Sequence, residues 1–234
     1  MMLGARTGAW AKSGGGVPTA RDYVQDGLIA MWDGIENAGW GLHSNADPVD
    51  LINGVKLIAV GSPVITDTTF DTPKGAYYYA DITDFRDAVA AKRFTFESVM
   101  SCVRVANNGI FSIGVRGIWI YGNINYNVST VNVNAVNYTQ AINPNYLDDG
   151  VFRISIVGDN TAPKVIIGTT EYSGYYGTLT SFSETRCYIG GMYDTVLFSS
   201  ALKSFRNIRL YSRALTAEEI AANYAIDKAR FGLT

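Results

Sequence analysis

Glycoside hydrolysis needs two carboxyl groups, an acid/base and a nucleophile or base, which in retaining enzymes lie about 5 Å apart. Alternate positions on one strand supply such a pair, because successive strand side chains point to opposite faces. No Glu-x-Asp-x-Glu or Glu-x-x-x-Glu string occurs here: Glu36, Glu97, Glu171 and Glu184 each stand alone. Glu97 is the one with aromatic neighbours in a strand-like run, FTFESVM. A single strand carboxylate cannot fill both roles, so Glu97 is expected as an outward, solvated side chain. His43 is the sole histidine, in the turn-rich stretch GWGLHSNADP, and no Gly-x-Ser-x-Gly string offers it a nucleophile. It is expected to make a loop hydrogen bond. With Cys102 and Cys187 it forms too thin a ligand set for zinc, and the cysteines read as reduced, buried thiols. No catalytic residue, metal or cofactor is expected.

Binding is better served than catalysis. Sugars present apolar C–H faces that pack on aromatic rings, while their hydroxyls seek amides and carboxylates. The stretch WIYGNINYNVSTVNVNAVNYTQAINPNY carries that mixture in Trp119, Tyr121, Asn125, Tyr126, Asn127, Asn134 and Tyr138. A second stretch, TEYSGYYG, holds Tyr172, Tyr175 and Tyr176, and its glycine spacing predicts a projecting loop. Tyrosine is also enriched where subunits meet. Both stretches therefore read as a glycan-binding or a subunit-contact surface.

These residues need a scaffold, and the apolar pattern supplies one from Gly27 onward. Leu28, Ala30 and Trp32 alternate with Ile29 and Met31; Phe94, Phe96, Ser98, Met100 and Cys102 alternate with Thr95, Glu97, Val99 and Ser101. This period of two predicts strands. Asn53-Gly54 and Asn108-Gly109 read as hairpin turns with positive φ at both central residues. Gly158 to Pro163 reads as a loop that returns VFRISIV as KVIIGTT. Helix is expected at 217–231 and briefly at 84–91. Thr216 and Glu219 form a reciprocal capping box there, and Leu215 and Ile220 a hydrophobic staple. Glu218 and Glu219 at one end, with Lys228 and Arg230 at the other, complement the helix dipole, and Gly232 is placed to stop the helix. Ile220, Tyr224 and Phe231 are expected to form its packing face. Many short strands with frequent turns predict an all-β sandwich of two antiparallel sheets.

Two blocks carry a family resemblance. The run IGG (Ile189 to Gly191) followed by FRNIRLYSRALTAEEIAANY (Phe205 to Tyr224) is similar to the C-terminal pattern of the laminin-G-like branch of the concanavalin A-like lectin/glucanase superfamily. The stretch GLIAMWDGIEN (Gly27 to Asn37) resembles that branch's first strand, in the form carried by surface and phage-encoded proteins of gut bacteria. The resemblance implies a concanavalin A-like jelly roll with a short C-terminal helix. Domains of this branch often hold calcium through loop oxygens, for which Asp47 and Asp50, Asp148 and Asp149, and Asp159 with Asn160 are the available groups. Loop aspartates ordinarily form turns instead, and no calcium is assigned.

Composition narrows the partners. The chain has 234 residues, 47% of them hydrophobic and 17% charged, with a net charge of −2. That suits one large β domain, and the lack of a basic cluster argues against nucleic acid. No apolar run approaches the roughly 18 residues that cross a bilayer, so no membrane partner is expected. Residues 1–25, with Gly14 to Gly16 and the isolated Leu3 and Trp10, read as an arm that anchors residues 26–234, the lectin-like domain. The start MLGARTGAW before a glycine spacer resembles the starts of phage structural proteins of gut bacteria. Together these features point to a non-enzymatic protein made in the host cytoplasm without a secretory signal and displayed on a virion, head or tail, as an adhesive or decorating module. Its expected partners are other virion or surface proteins, glycans and further copies of itself. A bacterial carbohydrate-binding protein is the alternative, and a glycan-cleaving enzyme comes third.

Overall fold

The computed structural model describes residues 17–39, 47–102, 108–113, 118–123, 128–133, 136–138, 150–173, 185–191 and 202–234. In chain order a 3-10 turn (Ala20–Asp22) leads to β1 (Leu28–Asp33), α1 (Gly34–Gly39), β2 (Ile58–Val60), β3 (Val64–Ile65), β4 (Phe70–Thr72) and β5 (Tyr77–Asp81). Next come α2 (Thr83–Ala90), β6 (Arg93–Cys102), β7 (Asn108–Ile113), β8 (Ile118–Asn123), β9 (Val128–Val133) and β10 (Val136–Tyr138). The chain closes with β11 (Phe152–Asp159), β12 (Lys164–Ile167), β13 (Thr170–Ser173), β14 (Arg186–Ile189), β15 (Lys203–Tyr211) and α3 (Ala217–Phe231).

The described strands form two antiparallel sheets. One runs β13-β12-β11-β6-β15-β4-β3, with β1 also paired to β15; the other runs β10-β9-β8-β7-β14-β5-β2. This is the expected all-β, jelly-roll-like sandwich of two antiparallel sheets with a C-terminal helix. The sheets meet through their apolar faces: Phe96 of β6 packs on Phe111 of β7 with ring centroids 4.2 Å apart, and Phe70 of β4 meets Tyr78 of β5 edge-on at 6.2 Å. Trp32, Phe94, Ile154, Ile189 and Leu210 fill the same core.

Both resemblance blocks have a packing reason. Gly34 opens α1 where a Cβ would lie 2.4 Å from the Thr68 carbonyl oxygen, so no side chain fits. Asn37 then ties α1 down, accepting from Val49 N–H at 2.6 Å and donating to the Asp33 carbonyl at 3.0 Å. Gly190 has φ +78°, and its Cβ would meet Thr72 Oγ1 of the opposite sheet at 2.2 Å. The blocks also meet: β1 pairs with β15, and Arg230 of α3 forms a buried ion pair of 2.9 Å with Asp33. Arg230 is thus a buried partner as well as a dipole charge.

Helix α3 is capped as its sequence dictates. Thr216 Oγ1 accepts from Glu219 N–H at 3.3 Å, Glu219 Oε2 accepts from Thr216 N–H at 2.9 Å, and left-handed Gly232 ends it. Leu215 and Ile220 pack together with Tyr211 and Val157. Its inward face differs from the expected one: Ile220, Asn223 and Asp227 are buried, while Tyr224 and Phe231 are half-buried. The sheet beneath carries charged residues, so the helix turns polar groups toward it.

Two turns also differ. Asn108 and Gly109 belong to β7, opposite Gly122 and Tyr121, so they are not the centre of a hairpin turn. Gly54 has φ +72°, but Asn53 is not among the positive-φ residues. The Asp50 carboxylate instead accepts from Ile52 and Asn53 N–H, winding this stretch into a longer turn. Helix α1 was not expected, whereas α2 falls where a brief helix was. Cys187 is a free, buried thiol. Of the arm, residues 1–16 lie outside the described set; Ala20 and Tyr23 are buried against Met31.

Candidate functional site

The seven-stranded sheet turns Tyr78, Ala80, Ile189, Cys187, Phe111 and Ile113 into the core. Alternate residues belong to its other face. Register then assembles one transverse row from strands that are far apart in sequence. Ile58 pairs with Tyr79, Tyr79 with Tyr188 and Tyr188 with Ser112. Ser112 pairs with Trp119, Trp119 with Asn132 and Asn132 with Asn137. The row thus crosses all seven strands with three aromatic residues, two amides and a hydroxyl.

Exposure rises along the part of the row whose side chains are described. Ser112 is fully buried, and its hydroxyl has no hydrogen-bond partner among the described residues. Tyr188 is buried, Tyr79 half-buried and Ile58 45% exposed. The row therefore opens toward β5 and β2. Its one charged neighbourhood lies at that end: the seven strands contain only Asp81 and Arg186 as charged residues, and these two are register partners. The Arg186 guanidinium lies 4.5 Å from the Tyr79 ring centroid and its Nε is 3.8 Å from Asp81 Oδ1. Thr185 Oγ1 donates to the same carboxylate oxygen at 2.9 Å. Burial acts to lower the Arg186 pKa, but its hydrogen bond to Tyr188 and the charge of Asp81 outweigh that and raise it above the ordinary value. An aromatic ring, a planar cation and an anchored carboxylate thus converge on solvent.

The sequence candidates distribute unevenly around this row. Trp119 lies in it, and Tyr121 lies two positions along β8. Tyr138 pairs with Val131, which pairs with Ile120, itself opposite core Phe111; this is the adjacent row, on the opposite face. Tyr172 sits on β13 of the other sheet, half-buried and packed against the core, so it is not on a projecting loop. The β-rich pairing of Thr170–Ser173 with Lys164–Ile167 explains that difference. Asn125, Tyr126, Asn127, Asn134, Tyr175, Tyr176, His43, Leu3 and Trp10 lie outside the described residues. Tyr79, Tyr188, Arg186 and Asp81 were missed. The triplet Tyr77–Tyr79 was the available signal, because its first and third members must share a face.

Glu97 is not solvated. It is fully buried under α3, on the outer face of the eight-stranded sheet. Its Oε1 accepts from Ser155 Oγ at 3.0 Å and from Arg153, and its Oε2 accepts from Arg209 Nε at 3.1 Å and Asn223 Nδ2 at 2.7 Å. Arg209 also donates to both oxygens of Asp227, and Tyr23 Oη donates to Asp227 Oδ1 at 2.7 Å. Two carboxylates and two guanidinium groups balance in a closed cluster, which has no room for a substrate. Loop aspartates are likewise occupied. Asp50 accepts from Met31 N–H at 2.6 Å, Asp47 from Ala59 N–H at 3.2 Å, and Asp159 from Thr161 and Ala162 N–H. Among the described residues no group of three His, Cys, Asp or Glu gathers at a metal position; Asp148 and Asp149 lie outside them.

No family model and no curated protein sequence matches the chain. Solved structures do. The chain is similar over 93% of its length to 34% of a Trypanosoma rangeli sialidase in complex with sialic acid, with TM-score 0.65 and 15% identity. It is similar over 88% of its length to 52% of the binding domain of Botulinum neurotoxin DC in complex with SialylT, with TM-score 0.63 and 10% identity. The same domain in complex with rat synaptotagmin II gives TM-score 0.62 at 11% identity. The chain spans between a third and about half of those chains. At such identities the likeness is one of fold, and that fold is a β-sandwich of two antiparallel sheets.

Proposed function

We propose that this chain is a non-enzymatic carbohydrate-binding module of the laminin-G-like kind, which takes a glycan along the outer face of its seven-stranded sheet. The observation that carries this reading is the row Tyr79–Tyr188–Ser112–Trp119–Asn132–Asn137, which mixes rings for sugar C–H faces with amides for hydroxyls. The solved sialidase complexed with sialic acid and the neurotoxin domain complexed with SialylT have the same fold, which agrees with it. Glu97, the carboxylate singled out as a candidate acid, is closed off in an ion cluster, which favours binding over hydrolysis. Glycan-array binding by the purified chain, lost on Trp119→Ala with the fold intact, is the expected result. Unchanged binding by that variant would remove the row from consideration.

We place the module on a phage particle, held through Leu3 and Trp10 at the start of its N-terminal arm, on the motivation of the glycine-rich run and the phage-like start. Mass spectrometry of purified particles is the test, and absence of the chain from them would move it to the bacterial cell.

A further inference from the structure

We infer that the open end of the row is a subsite for an uncharged sugar, in which Asp81 and Arg186 together hold a vicinal pair of hydroxyls beside the Tyr79 ring. This rests on reading the face as a glycan surface, and it goes further by fixing the ligand's charge class and the groups that orient it.

The strands of this sheet contain one anion and one cation, and register sets them opposite each other. An acidic sugar needs a cation whose charge is not already offset, and here the offsetting carboxylate is 3.8 Å away. That separation exceeds a hydrogen bond, so the two groups stand side by side, with Arg186 also hydrogen-bonded to Tyr188. Their side chains are 58% and 38% exposed. A sugar hydroxyl both donates and accepts. Placed at this pair it donates to the carboxylate, which has about four lone-pair sites, and accepts from the guanidinium fork. Adjacent hydroxyls on a pyranose ring have the spacing to use both groups at once.

Both groups are also held before any ligand arrives. Thr185 Oγ1 fixes Asp81 at 2.9 Å, and the Tyr79 ring lies under the Arg186 guanidinium. Such preorganisation lowers the entropy lost on binding. Half-buried Tyr79 adds apolar ring surface beside the pair, and buried Tyr188 lies on its inner side. The arrangement selects hydroxyl geometry and leaves no net charge to attract an acid.

The test uses the full chain on an array of uncharged glucose, galactose, mannose and fucose oligosaccharides together with sialylated and sulfated counterparts. The strongest binder is then measured by calorimetry at low and high salt. Uncharged glycans are expected to bind, with affinity insensitive to salt, because no net charge is neutralised. Asp81→Asn and Arg186→Lys are each expected to weaken binding about tenfold or more, with unchanged melting temperatures. Methylation of one of the vicinal hydroxyls should have the same effect. Preference for sialylated or sulfated glycans, weakening with salt, overturns the inference. So does full-strength binding by both folded variants while Trp119→Ala abolishes it; that outcome leaves the glycan face standing. Absence of binding to every glycan removes both readings.

Discussion

Arg209 donates from Nη1 and Nη2 to the two carboxylate oxygens of Asp227, both at 2.8 Å, and so ties the final strand to the final helix. Both side chains are fully buried. This fork is the centre of a cluster that includes Glu97, Arg153, Asn223 and Tyr23, and it docks α3 through polar groups where apolar ones would ordinarily serve. Removing one member leaves a buried charge without compensation, which costs about 3 to 5 kcal/mol. Asp227→Ala should therefore lower the unfolding free energy obtained from a urea titration by that amount. The double variant Asp227→Ala, Arg209→Met should recover part of the loss, and equal loss in both would show that the fork contributes little.

Acid should loosen the same joint. Burial raises the Asp227 pKa, but the charges of Arg209 and Arg153 and the hydrogen bonds from Arg209 and Tyr23 outweigh it, leaving the carboxyl below its ordinary value of 3.8. A depressed folded-state pKa contributes stability that is present above 3.8 and is lost as pH falls through the lower, folded value. Stability measured between pH 5 and pH 2 should fall steadily in the natural chain and less steeply in Asp227→Asn. Glu219, brought down to about 2 chiefly by its hydrogen bond from Arg213, adds a smaller loss over the same window. Identical slopes in the natural chain and Asp227→Asn would dissociate the acid limb from this residue.

Gly190 is constrained twice, by φ +78° and by Thr72, whose Oγ1 would lie 2.2 Å from an added Cβ. Gly190→Ala should destabilise by about 2 kcal/mol or more. Pairing it with Thr72→Ser removes one of the nearby side-chain atoms, Cγ2, and should relieve only part of the loss, because the left-handed backbone remains. Thermal melts of the two variants separate the two contributions.

The elements legible in the sequence were those whose signal is local. Thr216 and Glu219 are three residues apart and cap their helix as read, and the alternation of Phe94, Phe96 and Met100 puts all three in the core. What alternation cannot show is whether the other face is covered. Glu97 sits on that other face and becomes buried because Asn223, distant in the chain, lies over it. The inward face of α3 was misread for the same reason: Asn223 and Asp227 take buried positions only because Arg153 and Arg209 lie beneath. The row of the candidate site is longer in range still, since β5, β14 and β7 become neighbours only through the jelly-roll path. Trp119 was visible by composition; Tyr79, Tyr188 and Arg186 needed the register.

The exposure gradient along that row separates residues that hold the sheet from residues that meet a ligand. Tyr188 is 8% exposed and lies 6.1 Å from the Tyr77 ring, so Tyr188→Ala should cost about 3 kcal/mol through lost packing. Tyr79 is half-buried at the open end, with the Arg186 guanidinium on its ring. Tyr79→Ala should change stability by about 1 kcal/mol or less while weakening glycan binding about tenfold, the effect of losing about 1.4 kcal/mol at a contact. Denaturation and calorimetry on the same two variants give the comparison. If the row is only a structural element, both should lose stability in proportion to burial and neither should alter binding beyond that loss. If it is a ligand surface, the less buried residue has the larger effect on binding, which packing alone cannot produce.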